Sequence, residues 1–356
     1  MAELDLTWAL CVATLNRIEM LEHCVRCALG QTRPPLEITI VDASDDWQGS
    51  RQRIEAIVSG SVKLNYLPAP VRSSTVQRNT GIAACSADIC VLIDDDSFMH
   101  ADCAEIIMQV YEADRDGEIL GIAGSDGPSP IALGDAARKE GTVESGRERM
   151  MSASKFREFI WRELFLMSRT STFVAYDGPI GSYVPDWAVA RGFDLVPAIQ
   201  LPGCQMTVRR SAALRDPFES AFRSYSPGED FDISYRLSRR GAICVATGAR
   251  IYHHEVATSR IRREQELLLS ICNVAYLLRR HSPALDRDRR RWRVLMSRRI
   301  LAEFLKDGLT RRWRFPQFRA ARKAARLGRE VLAYSDDDSL ADYYVRMQED
   351  ILKRPA

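Results

Sequence analysis

Three consecutive carboxylates, Asp94-Asp95-Asp96, follow directly on an apolar run in this 356-residue chain. Adjacent carboxylates repel one another unless a cation or hydrogen-bond donors neutralise them. At a turning strand end, Asp94 and Asp96 can address one ligand while Asp95 faces elsewhere. Hard oxygen donors suit Mg2+ or Mn2+, and Mg2+ is commonly held by one or two carboxylates together with substrate phosphates. A solvated acidic turn is the competing reading. Thr14, Asn16 and Arg17 follow the first apolar run, and Asp42 closes the second. Asp42 can accept a hydrogen bond from a base N–H or a ribose hydroxyl, or it can cap a helix within the turn-forming stretch VDASDD. Arg78 and Asn79 sit in a helical pattern before the carboxylates and alone would be a solvated face. Glu229-Asp230 follows Pro227-Gly228. Asp230 is placed there either to cap a helix or to take a proton from a hydroxyl as general base. In the pair His253-His254, one imidazole can bind a metal or donate a hydrogen bond while the other faces the core.

These groups depend on the elements that carry them. The first 125 residues alternate short β-rich runs with helical patterns, which predicts a parallel sheet with crossover helices. Strands are expected over Trp8–Thr14, Glu37–Asp42, Val62–Leu67 and Ala87–Ile93, and helices over Ile18–Leu29, Arg51–Val58 and Thr75–Ala84. The strand before Asp94 is apolar almost throughout, as in a sheet covered on both faces, and places the carboxylates at the C-terminal sheet edge, where open α/β sheets bind ligands. The segment Ser125–Gly146 reads as a loop and Ala153–Met167 as an amphipathic helix. Leu214–Arg223 is ambiguous, Asp230–Arg240 is expected as a helix, and Ala242–Ala246 and Ala249–Tyr252 as two short strands. From Arg262 onward the pattern is helical, with Leu267–Leu278 and Val294–Leu305 the most regular stretches.

With 46% hydrophobic and 28% charged residues, the composition excludes wholesale disorder. No run approaches the roughly 18 uninterrupted apolar residues of a spanning helix, and the acidic start MAELDLTWAL lacks a secretory signal's basic flank. The nine cysteines are scattered and read as small buried hydrophobes in a reducing cytoplasm. Cys24 and Cys27 form a lone CxxC without a partner pair. Net charge is +2, but residues 279–329 hold eighteen Lys or Arg against four acids. That segment therefore carries +14 and the rest of the chain −12, an asymmetry that predicts two functions in one chain. The division expected is residues 1–256 for the α/β domain and 257–356 for a basic, mostly helical region.

Taken together the motifs resemble family 2 of the glycosyltransferases. The resemblance covers roughly residues 7–256 and rests on four segments in the family's order. They are CVATLNRIEMLEHCVRCALGQTRPPLEITIVDASDD, VQRNTGIAACSADICVLIDDDS, PGCQMTVRRSAAL and SPGEDFDISYRLSRRGAICVATGARIYHH. It implies a GT-A fold, a nucleotide-sugar-binding, Rossmann-like and mostly parallel sheet, here with a C-terminal helical extension. It further implies an inverting transfer from a nucleotide-diphosphate sugar to an acceptor hydroxyl, assisted by Mn2+ or Mg2+. By this resemblance Thr14, Asn16 and Arg17 match the first nucleotide-binding loop, Asp42 the acid that reads the base, and Arg78-Asn79 the pair near the nucleotide. Asp94, Asp95 and Asp96 look like the DxD motif that holds the ion and the ribose or diphosphate. Glu229-Asp230 looks like the ED pair with Asp230 as base, and His253 like the late histidine near the metal. The chain departs from the family at Ala43, where a second acid is usual, and at Gln205, where Asn is usual.

The implied donor is a UDP- or dTDP-sugar, since Asp42 suits either pyrimidine, and the implied acceptor is a glycan, a lipid-linked glycan or a small molecule. Two other readings stand beside this one. A sugar nucleotidyltransferase would carry a Gly-rich basic loop after the first strand, whereas Ala13–Arg17 contains no glycine. A non-catalytic membrane- or polyanion-binding protein could be built on a degenerate transferase scaffold, against which Asp96 and Asp230 are both intact. The basic segment, interleaved with Trp292, Trp313, Phe315 and Phe318, reads as a binder of anionic membrane at the cytoplasmic face or as helices packed on the acidic body. No nucleic-acid-binding motif accompanies it.

Overall fold

The computed structural model describes residues 5–58, 60–131, 173–254 and 261–353. The helix expected over 153–167, and the loop of 125–146 from residue 132 onward, lie outside the described residues. The chain divides into two compact units. In the first, residues up to 131 are joined by 180–220 and 229–254. The second gathers 173–179, 221–228 and 261–353.

The first unit is built on a nine-stranded sheet. Its parallel half comprises β1 (Trp8–Thr14), β2 (Glu37–Asp42), β3 (Lys63–Pro68) and β4 (Ile89–Leu92), with α1 (Ile18–Leu29), α2 (Trp47–Glu55) and α3 (Ser74–Ala84) as crossovers. It continues with β5 (Ser97–Met99), α4 (Cys103–Ala113), β6 (Ile119–Asp126), α5 (Asp186–Ala190), β7 (Leu195–Pro197) and β8 (Met206–Arg209). The helices α6 (Arg210–Arg215) and α7 (Glu229–Ser238) and the long strand β9 (Ala242–His253) complete it. Sheet order is β3-β2-β1-β4-β8-β6-β9-β5, with β7 also on β9. Strands β1 to β4 are mutually parallel where they pair, and β8 runs antiparallel between β4 and β6. The sheet is therefore more mixed than the alternating pattern of the first 125 residues suggests.

Period-two alternation along β1 explains why both sheet faces are dry. Trp8, Leu10 and Val12 point into one core with Leu21 and Val25 of α1 and Ile107 of α4. Ala9 and Cys11 point into the other with Ile82 of α3, Ala212 of α6 and Leu237 of α7. Strands covered on both sides must be apolar throughout, and β4 is buried at all four positions. Seven cysteines are buried, and Cys11, Cys85 and Cys90 meet in the second core, with the last two sulfurs 3.3 Å apart.

Several boundaries differ from the sequence reading for local reasons. Helix α2 starts at Trp47 because Asp46 caps it, its carboxylate accepting from the Gly49 N–H at 3.0 Å. The two short strands expected after Gly241 are one strand, β9, continued past Gly248 by irregular pairing with β6. Of the ambiguous stretch 214–223, only the end of α6 is helical.

The second unit is helical: α8 (Arg263–His281), α9 (Leu285–Leu309), α10 (Pro316–Ala333) and α11 (Leu340–Lys353). Its centre is aromatic, with Tyr276 stacked on Tyr344 at 4.5 Å and Phe222 edge-on to both. Helices α9 and α10 approach closely at Gly328, where an added Cβ would fall 2.5 Å from the Trp292 ring. Among the described residues no helix is long and apolar enough to cross a membrane.

Candidate active site

Sheet order reverses at β1. From β1 the chain moves outward to β2 and β3, then returns to place β4 on the other side of β1. Such a switch point leaves a crevice at the carboxyl ends of the two strands. Thr14 ends β1, and Asp94, Asp95 and Asp96 follow β4 by two residues. The Thr14 hydroxyl donates to Asp95 at 2.7 Å, tying the two ends together.

The three carboxylates have distinct neighbours. Asp95 is buried and faces Thr14 and Arg17. Asp96 is also buried: its Oδ2 accepts from Arg17 at 2.8 Å and its Oδ1 lies 3.3 Å from His253 Nε2. Asp94 is the open one, its side chain 36% exposed; Oδ1 accepts from Arg78 at 2.9 Å and Oδ2 lies 4.0 Å from His253 Nε2. Each of Asp94 and Asp96 thus gives one oxygen to an arginine and turns the other toward the same imidazole. The resulting donor set, two carboxylate oxygens and one nitrogen, lies within 4.8 Å of itself. Carboxylates with an added imidazole fit Mn2+, and the carboxylates alone would serve Mg2+ equally.

His253 reaches this position through pairing. β5 runs antiparallel to β9 with Ser97 opposite His253, and the His254 N–H donates to the Asp96 carbonyl at 2.9 Å. Alternation then sends His254 the other way, buried and stacked on Phe98. Of the pair, His253 is brought to the acids.

Burial pushes the Asp95 carboxyl up to about 7, against the pull of Arg17. Burial works against charge on His253 and is the largest single influence, but hydrogen bonding and charge interactions with Asp96 and Cys204 together outweigh it and raise the imidazole to about 11.

Arg78 joins the strand end to α7. It is buried, reaches Glu229 as well as Asp94, donates to the Gly203 carbonyl at 3.1 Å, and lies over the Phe218 ring. Glu229 is raised to about 8, by burial first, with Arg78 opposing. Its second oxygen accepts from the Asp230 N–H. Asp230 itself is half-buried, with Oδ2 accepting from Gln200 at 2.6 Å and Oδ1 from the Phe231 N–H at 2.8 Å. The candidate base therefore stands at the open first turn of α7, one residue from the carboxylate that Arg78 ties to Asp94.

The remaining expected residues lie in supporting positions. Asn79 spends its amide on the 218–220 segment, donating to the Phe218 carbonyl at 2.8 Å and accepting from the Phe218 N–H at 3.0 Å. Asp42 is buried at the end of β2, accepting from Tyr66 at 2.5 Å and from the Ser44 N–H at 2.7 Å. Asn16, in the left-handed region at φ 54°, bridges to the β2 loop: its N–H donates to Ser44 at 2.7 Å and its side chain pairs with Asp45. Asp45 is the exposed acid of that loop and pairs with Arg72.

Sequence reasoning missed Gln77 and Gln200. Gln77 is buried and donates to the carbonyls of Thr14 at 3.0 Å and Val41 at 2.8 Å, pinning the ends of β1 and β2. A glutamine in a helix looks like a solvated face, so no sequence signal marks it. Gln200 lay in a Gly- and Pro-rich stretch without periodicity.

Residues 9–140 match Glycosyl transferase family 2. No curated protein sequence matches the chain. Among solved structures, GalNAc-T7 with UDP, GalNAc and Mn2+ aligns at a TM-score of 0.50 and 13% identity, covering 77% of this chain and 48% of that one. S. aureus TarS 1-349 in complex with UDP aligns at 0.43 and 8% identity, covering 76% and 65%. Full TarS aligns at 0.43 and 9%, covering 76% of this chain and 39% of its own length. The chain thus spans about half the length of GalNAc-T7 and less of full TarS. The GalNAc-T7 alignment shows a GT-A-like fold, as the motifs implied, to which this chain adds a helical C-terminal part.

Proposed function

We propose that the protein is an inverting glycosyltransferase that moves a sugar from a UDP- or dTDP-sugar to an acceptor hydroxyl. The observation that carries this reading is the single connected set at the strand end. Two carboxylates and His253 converge on one point, and Arg78 and Glu229 link them to Asp230. Asp94, Asp96 and His253 would hold Mn2+ or Mg2+, which supplies Lewis-acid stabilisation of the departing diphosphate. The loops Thr14–Arg17 and Asp42–Asp45 border the same crevice and would seat the nucleotide, with Asp95 and Arg78 positioning the acids beneath it. Asp230 takes the proton from the acceptor hydroxyl as its oxygen attacks the anomeric carbon opposite the diphosphate. Gln200, donating to Asp230 Oδ2, keeps one carboxylate oxygen oriented while the proton is taken up. One displacement inverts the stereocentre, so no enzyme nucleophile is needed.

GalNAc-T7 was solved with UDP, a sugar and Mn2+, which supports the donor class and the ion. The acceptor proposed is a glycan, a lipid-linked glycan or a small molecule. The location proposed is the cytoplasm with peripheral membrane contact, residues 1–256 carrying the chemistry and 257–356 the contact. The test is turnover of UDP- and dTDP-sugars by the purified full chain, with Mn2+ and with chelator. Ion-dependent release of nucleoside diphosphate, with the anomeric configuration of the product opposite to the donor's by NMR, is the expected outcome. Retention of configuration, or release unaffected by chelation, would overturn the mechanism.

A further inference from the structure

The basic segment is more one-sided in the folded protein than in the sequence. Of the four acids between residues 279 and 329, three are buried. Asp288 is held by Arg287 and by the Ser282 hydroxyl at 2.7 Å. Glu303 accepts from Arg299 at 3.0 Å, and Asp307 accepts the N–H groups of Gln317 and Phe318 at 2.9 and 3.0 Å, capping α10. Only Asp286 is exposed, and it pairs with Arg289. The negative charge that could have neutralised the surface has been turned inward.

The outward face of α9 combines cations with aliphatic groups. At 3.6 residues per turn, Arg290, Val294, Arg298, Leu301, Leu305 and Leu309 fall within an arc of about 100°. All six are exposed. Past the helix end the chain continues into Arg311, Arg312, Trp313 and Arg314, all exposed, with Leu309 75% and Trp313 72% accessible. Among the described residues none of Arg311, Arg312 and Arg314 is ion-paired.

We propose that this face, α9 from Arg290 through the turn at Trp313, seats on a bilayer interface containing anionic lipid. Two properties select that occupant. A polyanion such as RNA would use the arginines but gain nothing from leucines exposed in the same arc. A neutral apolar partner would have to strip water from the arginines without replacing it. A lipid interface serves both, because arginine stems lie along the acyl boundary with their charges at the headgroups, and tryptophan prefers that depth. The inference gives the peripheral contact of the proposed location a definite surface. It does not depend on the transferase reading, because no residue of the strand-end site takes part.

The experiment is co-sedimentation of the full-length protein with vesicles of phosphatidylcholine alone and with phosphatidylglycerol added, at low and high salt. Binding should require phosphatidylglycerol and weaken in high salt. Each arginine neutralised among Arg311→Gln, Arg312→Gln and Arg314→Gln should lower the partition coefficient about fivefold. Leu309→Asp and Trp313→Ala, both highly exposed and tolerable to the fold, should weaken binding at every salt concentration. Val189→Asp, at an exposed apolar site in the first unit, should not. Asp230→Asn should sediment like the unaltered protein even with transfer lost, so failure here and failure of the transferase reading are separable. Protein left in the supernatant throughout, binding indifferent to Leu309→Asp and Trp313→Ala, or RNA displacing the vesicles without loss on those two substitutions would each overturn the proposal.

Discussion

At the strand end of the first unit, three acids are drawn together and cations are brought in to meet them. Arg17, Arg78 and His253 all point toward Asp94, Asp95 and Asp96. Along α9 of the second unit the arrangement is inverted, with Asp288, Glu303 and Asp307 buried and the unpaired arginines outside. Both regions bury carboxylates, yet the consequences differ. In the first, Asp94 stays 36% exposed and Asp94 and Asp96 each keep an oxygen directed at a common point, so these two acids can take a ligand. In the second, the buried acids are consumed as caps and pairs, and what remains available is positive surface. Burial of charge is thus a means of positioning in both units, and the side on which the leftover charge emerges decides what each can bind.

Removing an acid from each region tests that contrast. Asp96→Ala should abolish ion-dependent donor turnover and weaken donor binding in Mn2+, measurable by calorimetry; unchanged turnover would sink the metal assignment. Asp230→Asn should preserve donor affinity and lower the transfer rate by roughly 10²–10⁴, the usual worth of a positioned general base. A parallel fall in donor affinity would make Asp230 a helix cap and nothing more. In the second unit the effect should move from activity to stability. Asp307→Ala leaves two N–H groups at the start of α10, one buried and one part-buried, without their acceptor, a loss of about 1–3 kcal/mol readable by chemical denaturation. Asp286→Ala, which breaks only an exposed pair with Arg289, should change stability by less than about 1 kcal/mol. Equal losses from the two substitutions would erase the distinction between inward and outward acids.

Much of the first unit was legible in its residues. Apolar runs of strand length alternating with amphipathic helices predicted β1 to β4 and their crossovers, and the observed boundaries of β1, α1 and β2 agree residue for residue. These are local properties, since a strand covered on both faces has to be apolar along its length. The acids at the strand end, Arg78, Asp230 and His253 were also visible as residue types in order. Their linkage was not, because Glu229 lies 151 residues from Arg78 and only packing brings them together.

What the sequence by itself determined, then, is the inventory: the parallel strands β1 to β4 with carboxylates at their C-terminal edge, an acidic pair at a helix start, and a basic C-terminal segment. Tertiary structure decided the directions. Pairing of Ser97 with His253 chose which imidazole meets the acids, because alternate residues of a strand point to opposite faces. Asp42 and Asn79 were drawn into holding loops by neighbours distant in sequence, Tyr66 and Phe218. Along α9, charges of both signs are scattered around the helix, so periodicity could not say which would face solvent. Burial against the rest of its own unit settled it, because a carboxylate removed from water must find donors and the arginines left over could remain hydrated.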